Sequence, residues 1–351
     1  MFIDIAKKKF ELLKNKKDIV VLAIESSCDE TSVAVVKNGR EVLSNVVASQ
    51  IDIHRLYGGV VPEIASRNHI TAISNVYKEA LLEAKITEND IDAVAVTYGA
   101  GLVGALMVGV NFAKALAFSL EVPLIATSHI KGHISANYIT EKNLEPPFVC
   151  LMISGGHTAL LEITSYTTQN LIGTTVDDAV GETFDKVARV LGLCYPGGPE
   201  IDKRAKLGSA NINFLHQSVM KDSLNFSFSG IKTAVINYVH NLKQKNEDVN
   251  INDICASFQS LVANELATKA IKACKQTGHK KLVVAGGVSA NSAIRNLLKE
   301  LGEKNNIEVY YPKLNYCTDN AAMIGSAAYY MIKNGEGLAD LSLTAKPTVA
   351  L

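Results

Sequence analysis

Residues 129–138, HIKGHISANY, set His129 and His133 four positions apart in a chain that has only eight histidines. Side chains at that spacing share one face of a helix. Two imidazoles on one face either grip a metal ion or simply pack together, and the pair alone does not decide. The run VPLIATS before them reads as a strand, with Thr127 or Ser128 as N-cap of the helix. No glutamate follows His129, so the HExxH pattern, with the general base it brings to a hydrolytic zinc site, is absent. Asp319, in CTDN, reads on its own as a cap for the helix NAAMIGSAAYYMI. Asp29 and Glu30 lie in the polar loop of ESSCDET. In MISGGHT, Gly155 and Gly156 would let backbone amides approach a phosphate closely. Asp178, Glu182, Asp185 and Arg189 fall at offsets of zero, four, seven and eleven, a polar stripe opposite Val180, Phe184, Val187 and Leu191.

The elements that must position these residues form an internal echo. IVVLAIESSCDETSVAVVKNGREVLSNVVAS reads as three strands, with Asn38-Gly39 as a tight hairpin turn. FVCLMISGGHTALLEIT, residues 148–164, repeats the plan of strand, polar glycine-containing loop and strand. Each is answered later by a buried strand entering a glycine turn and a helix, at residues 91–117 and 281–301. The expected fold is therefore α/β, a duplicated two-lobe architecture of the actin, Hsp70 and sugar-kinase kind, with an interlobe nucleotide cleft. The P-loop pattern GxxxxGK[ST] is not present.

Length and charge bound the reading. A chain of 351 residues, 48% hydrophobic, can bury a large core, most naturally as two lobes. Lysine plus arginine equals aspartate plus glutamate at 35 each, which argues against coating nucleic acid by bulk charge. The six cysteines are scattered without CxxC spacing, so a zinc ribbon or disulfide framework is not expected. No apolar run approaches the roughly 20 residues that span a bilayer. The first residues, MFIDIAKKKFELLKNKKD, lack an apolar core and read as a short, charged, fraying helix. A cytoplasmic protein without a membrane partner is expected.

ESSCDETSVAVV, YGGVVPEIASRNHI, SHIKGHI, ISGGHT, GETFDKVARVLGLCYPGGP, FSFSGIKTAV, AGGVSANSAIR and CTDNAAMIG occur in the order found in one family. From about Val20 to the last turns, the chain resembles the tRNA threonylcarbamoyladenosine transferases of the bacterial or organellar TsaD type, once regarded as O-sialoglycoprotein endopeptidases. The resemblance implies transfer of threonylcarbamoyl from threonylcarbamoyl-AMP to the N6 amine of the adenosine beside the anticodon in tRNAs reading ANN codons, with release of AMP. It implies one divalent ion per subunit on His129, His133 and Asp319, with Fe(2+) favoured and Zn(2+) the alternative. It assigns Met152, Ile153, Ser154, Gly155, Gly156, Asp185, Gly198, Asp202 and Asn291 to threonylcarbamoyl-AMP or ATP, ADP or AMP. Asp29 and Glu30 are catalytic candidates, either deprotonating the amine or arranging their loop.

The implied partners are tRNA, a TsaB-like paralogue of the same fold, a small TsaE-like P-loop ATPase and the adenylate-forming enzyme that supplies the donor. Lys232 is open to phosphate, tRNA or plain solvent, and His54, Arg55, Arg67 and His69 are read as a basic rim for RNA. The family commonly has Glu where this chain has Lys131, which puts any role of that carboxylate in doubt. Expected boundaries are a charged extension at 1–18, lobe I at 19–128 with 319–351 returning to it, and lobe II at 129–318. The competing readings are a metallopeptidase and a non-catalytic ATP-binding scaffold.

Overall fold

The computed structural model describes residues 2–214, 220 and 222–349. In chain order the first elements are α1 (Phe2–Asn15), β1 (Val20–Glu25), β2 (Glu30–Lys37), β3 (Glu41–Ser49), α2 (Ile51–Arg55), α3 (Pro62–Ala84), β4 (Ala93–Gly99), α4 (Val103–Leu120), β5 (Leu124–Ser128) and α5 (His129–Thr140). There follow β6 (Phe148–Ile153), β7 (Thr158–Ile163), β8 (Gln169–Thr174), α6 (Val180–Val190), α7 (Gly197–Ala205), α8 (Ser229–Gln244), α9 (Ile251–Thr277), β9 (Lys281–Ala285), α10 (Ser292–Asn305), β10 (Glu308–Tyr310), α11 (Ala321–Asn334) and β11 (Leu338–Ala339). They divide into two units. The first holds the chain up to Pro146, Ser165–Thr168 and everything from Pro312 onward, and the second holds Pro147–Thr164 and Gln169–Tyr311.

Unit 1 is built on a six-stranded sheet in the order β11-β5-β4-β1-β2-β3. β1, β2 and β3 form an antiparallel meander, while β4 and β5 run parallel to β1. The β2–β3 turn has Asn38 and Gly39 at φ of 53° and 69°, the paired left-handed conformation that an Asn-Gly hairpin turn requires. Period-2 alternation splits the strands between two cores. Val21, Ala23, Ala34 and Val36 pack with α11, and Leu22, Ile24, Val33 and Val35 pack with apolar residues of α3 and α4.

Unit 2 repeats the plan in the order β10-β9-β6-β7-β8. β6, β7 and β8 form an antiparallel meander, with β9 parallel to β6 and β10 parallel to β9. Both meanders carry a register shift between their second and third strands, at Val35/Val36 and at Leu160/Leu161.

Three expectations change. The boundary at Ser128/His129 moves to Pro146/Pro147, because α5 packs on α11 inside unit 1. A Cβ on Gly132 would lie 2.6 Å from Ile324 Cδ1, so only glycine permits this approach. The N-terminal helix is packed rather than frayed: Ala6, Phe10 and Leu13, along one face of α1, are buried, and the Phe2 ring lies 5.7 Å from that of Phe118. The search for apolar runs also needs amending, since α4, with 18 residues, is long and apolar enough to cross a bilayer. Its apolarity serves core packing here, with Ala105, Leu106, Gly109, Val110, Ala113 and Ala117 buried.

Candidate functional site

The centre in unit 1 grows from two helix starts. At the end of β5, Ser128 caps α5 by accepting the Lys131 amide at 3.2 Å, which sets His129 and His133 on successive turns of one face. Their rings lie 4.4 Å apart, edge to face. At the start of α11 the capping is done by Asn320, whose side chain accepts the Met323 amide at 3.1 Å. Asp319 is therefore not spent as a cap. Its Oδ1 lies 3.4 Å from His129 Nε2 and 3.2 Å from His133 Nε2.

The ligand atoms of these three residues all fall within 4.8 Å of one another. His133 is buried, and neither ring nitrogen makes a hydrogen bond of acceptable geometry, despite the short distance to Asp319. A buried imidazole without partners is costly unless something else takes its lone pair. Two imidazoles and a carboxylate form an open donor set for a divalent transition ion, so the residues fit a metal.

The electrostatics point the same way. Burial opposes charge on His129, yet Asp319 and Glu25 raise it to about 9. Burial, followed by the charge on His129, pushes His133 below its usual value. Burial works against ionising Asp319, but the two histidines draw it down to about 2. The three groups thus hold charge for one another where a cation would otherwise sit.

Glu25 at the end of β1 escaped the reading of the sequence. It is wholly buried, and burial opposes its ionisation, but the charge and hydrogen bond of His129 hold it below the usual carboxylate range. A carboxylate closing a fully buried strand was the available signal. Asp29 and Glu30 are buried in the neighbouring loop and the start of β2. Burial, with the charges of Asp319 and Asp29, pushes Glu30 up to about 10, and Ser49 Oγ donates to it at 3.1 Å. Burial and the same carboxylates keep the Cys28 thiol protonated.

The RNA rim is corrected. His54 and His69 are fully buried. His69 holds the acidic loop from behind, with Nδ1 2.7 Å from Thr31 Oγ1 and Nε2 2.9 Å from the Cys28 carbonyl. His54 Nδ1 accepts the Val61 amide at 3.3 Å. Arg55 and Arg67 are exposed but paired locally with Asp52 and Glu63.

In unit 2, Met152 and Ile153 are buried in β6, so a ligand would meet their backbone rather than their side chains. Ser154 and His157 close the next turn, with Ser154 N–H donating to the His157 carbonyl at 2.8 Å and the His157 amide to Ser154 Oγ at 3.1 Å. This leaves Gly155 and Gly156 exposed, with open space where a Cβ would stand. Asp185 on α6 accepts the Gly197 amide at 2.7 Å, tying α6 to the start of α7. Gly198 in that first turn has open space beside it.

Asp202 and Asn291 are committed within the unit. Asp202 accepts from Gln259 Nε2, Ser292 N–H and Ser292 Oγ at 3.0, 3.2 and 2.6 Å. Asn291 Oδ1 caps α10, and its Nδ2 donates to Gln259 Oε1 at 2.9 Å. Beside this junction lies a cavity of about 450 Å³ lined by Lys206, Gln259, Asn264, Ser292 and Asn296 among others. Asp178 precedes α6 rather than riding on it, and it pairs with Lys186 and Lys232, which accounts for Lys232 without a ligand.

The family model for TsaD, tRNA N6-adenosine threonylcarbamoyltransferase, matches residues 41–326. A protein of that name from Clostridium perfringens (strain SM101) is 58% identical over 339 residues, covering 96% of this chain and 99% of its own. One from Clostridioides difficile is 52% identical over 335 residues, covering 95% and 99%. Among solved structures, HypF from T. kodakarensis aligns with a TM-score of 0.62 at 15% identity, over 93% of this chain and 49% of its own. Component A of the Acidaminococcus fermentans (R)-2-hydroxyglutaryl-CoA dehydratase aligns with a TM-score of 0.52 at 17% identity, over 90% and 98%. At such identities the likeness bears on the fold alone, the duplicated α/β plan of the actin, Hsp70 and sugar-kinase kind.

Proposed function

Because the chain belongs to the tRNA N6-adenosine threonylcarbamoyltransferase family, we propose how its residues serve that acyl transfer. The enzyme moves a threonylcarbamoyl group to the N6 amine of an adenosine in tRNA. The observation that carries this is family identity of 58% over nearly the full length, joined to a donor set of His129, His133 and Asp319 within 4.8 Å. The donor in our reading is threonylcarbamoyl-AMP, and the acceptor is the adenosine beside the anticodon of ANN-reading tRNAs.

His129, His133 and Asp319 would hold one divalent ion; the donor set suits Fe(2+) and Zn(2+) alike, and the family resemblance favours Fe(2+). Such an ion would supply Lewis acidity to an oxygen of the donor. Glu30, kept protonated at neutral pH, serves as a hydrogen-bond donor in the loop, and Asp29 takes the proton that the amine loses as its nitrogen attacks the carbonyl and AMP departs. In unit 2 the Ser154–Gly156 turn offers backbone amides to the phosphate, and the neighbouring backbone of Met152 and Ile153 continues that edge. Asp185 and Gly198 face the nucleoside, while Asp202 and Asn291 hold the α7–α10 junction behind them. On family grounds the partners are a TsaB-like paralogue, a small TsaE-like P-loop ATPase and the adenylate-forming enzyme, all in the cytoplasm.

The test is mass spectrometry of tRNA nucleosides after incubation with threonine, bicarbonate, ATP, the adenylate-forming enzyme and those partners. Threonylcarbamoyladenosine should form only when this chain is present; its absence from the complete mixture sinks the reading.

A further inference from the structure

Glu25 is wholly buried, and its contacts include no lysine or arginine. One carboxylate oxygen accepts the Ser27 amide at 2.5 Å; the other accepts the Thr97 hydroxyl at 2.6 Å and lies 3.3 Å from His129 Nδ1. The imidazole stands between two carboxylates, with Nδ1 toward Glu25 and Nε2 toward Asp319. Glu25 is therefore behind the ring and is not itself placed among the metal-facing atoms.

Ser27 Oγ also lies 3.1 Å from His129 Nδ1. A hydroxyl can donate or accept, so Ser27 leaves the tautomer open. A carboxylate accepts, so its contact keeps a proton on Nδ1 and leaves Nε2, facing His133 and Asp319, as the nitrogen that yields its proton to a metal. Among the described residues no group hydrogen-bonds His133 Nδ1, so the two histidines are unequal: only His129 is held from behind.

We propose that Glu25 is the positioning residue of the metal centre, orienting the His129 ring from behind and fixing its tautomer. The inference rests on the metal reading of the site, and Co²⁺ is the probe. Its affinity is measured by chelator competition, its ligand field by visible absorption, and the fold of each metal-free variant by circular dichroism and thermal melting.

Glu25→Gln keeps the shape but lets His129 protonate Nε2. It should weaken Co²⁺ binding by about ten- to a hundredfold and alter the absorption bands. Ser27→Ala and Thr97→Val keep the carboxylate and should stay within about threefold of wild type, on the scale of ordinary polar contacts. Wild-type affinity and spectrum in Glu25→Gln would overturn the proposal, as would an equal loss in Thr97→Val. Should Glu25→Gln not fold, nitrogen NMR of the Zn²⁺-loaded wild type decides: Nδ1 of His129 protonated and Nε2 ligating supports the proposal, and the reverse overturns it. If wild type fails to bind Co²⁺ at all, the metal reading itself falls; a failure confined to the variants leaves that reading standing.

Discussion

In unit 1 the loop after the first meander strand, residues 26–29, is largely buried and ends in a carboxylate; in unit 2 the equivalent turn, residues 154–157, exposes two glycines and has no acidic side chain. The strands beneath are close counterparts, with Ala23 opposite Ala34 in one meander and Leu151 opposite Leu160 in the other. A parallel strand of unit 1, β5, runs straight into a helix that opens with a histidine, whereas β9 of unit 2 passes through Gly286, at φ 92°, to the Asn291-capped helix α10. One backbone plan has been furnished twice, once with ionisable side chains and once with bare amides. The scaffold follows from a repeated apolar pattern, and the chemistry follows from a few residues at strand ends.

The difference can be broken from either side. The largest effect is expected from His133→Ala, which removes a ligand from unit 1: turnover should fall by at least about a hundredfold with loss of bound metal, measured by tRNA modification and elemental analysis. Unchanged turnover and metal content would strip unit 1 of its assigned role.

Next comes pH. In the metal-free protein His129 is raised to about 9, so its pairing stabilises the fold fully below about 6.5 and is lost as pH climbs through 9. Asp319 is lowered to about 2, so its contribution is present above about 3.8 and is lost as pH falls through 2. Metal binding must displace the His129 proton, so Co²⁺ affinity should rise about tenfold per pH unit from about 7 toward 9 and then flatten. A flat profile across that range would contradict the pairing.

A structural probe of the same region is Gly132→Ala. Its methyl would press on Ile324 and Met323, and it should cost about 1–3 kcal/mol in denaturant unfolding. The smallest effect sharpens the contrast. Gly155→Val enters open space, so melting should be unchanged, while the donor's KM should rise about tenfold, or about 1.4 kcal/mol, as the phosphate loses access to the turn. An unchanged KM would leave the unit 2 turn as a mere connector.

What the sequence made legible was local. The Asn38-Gly39 turn, the paired meanders and the shared face of His129 and His133 each depend on residues a few positions apart. His54 and His69 are polar but not exposed; His69 is buried because the Cys28 carbonyl and the Thr31 hydroxyl satisfy it. Glu25 was passed over because a charge at a strand's end ordinarily marks where it meets solvent, and here Thr97 and His129 meet it instead. The membership of α5 in unit 1 rests on Gly132 meeting Ile324, a contact between distant parts of the chain that no local pattern announces.

Unit 1 is interrupted: apart from a brief return at Ser165–Thr168, the chain leaves it after Pro146 and comes home at Pro312, with two of the three proposed ligands laid down before the excursion and the third after it. During synthesis, a nascent polypeptide therefore cannot assemble this donor set until the closing segment has emerged from the ribosome and docked. A product terminated before residue 319 would lack the aspartate and with it the complete donor set.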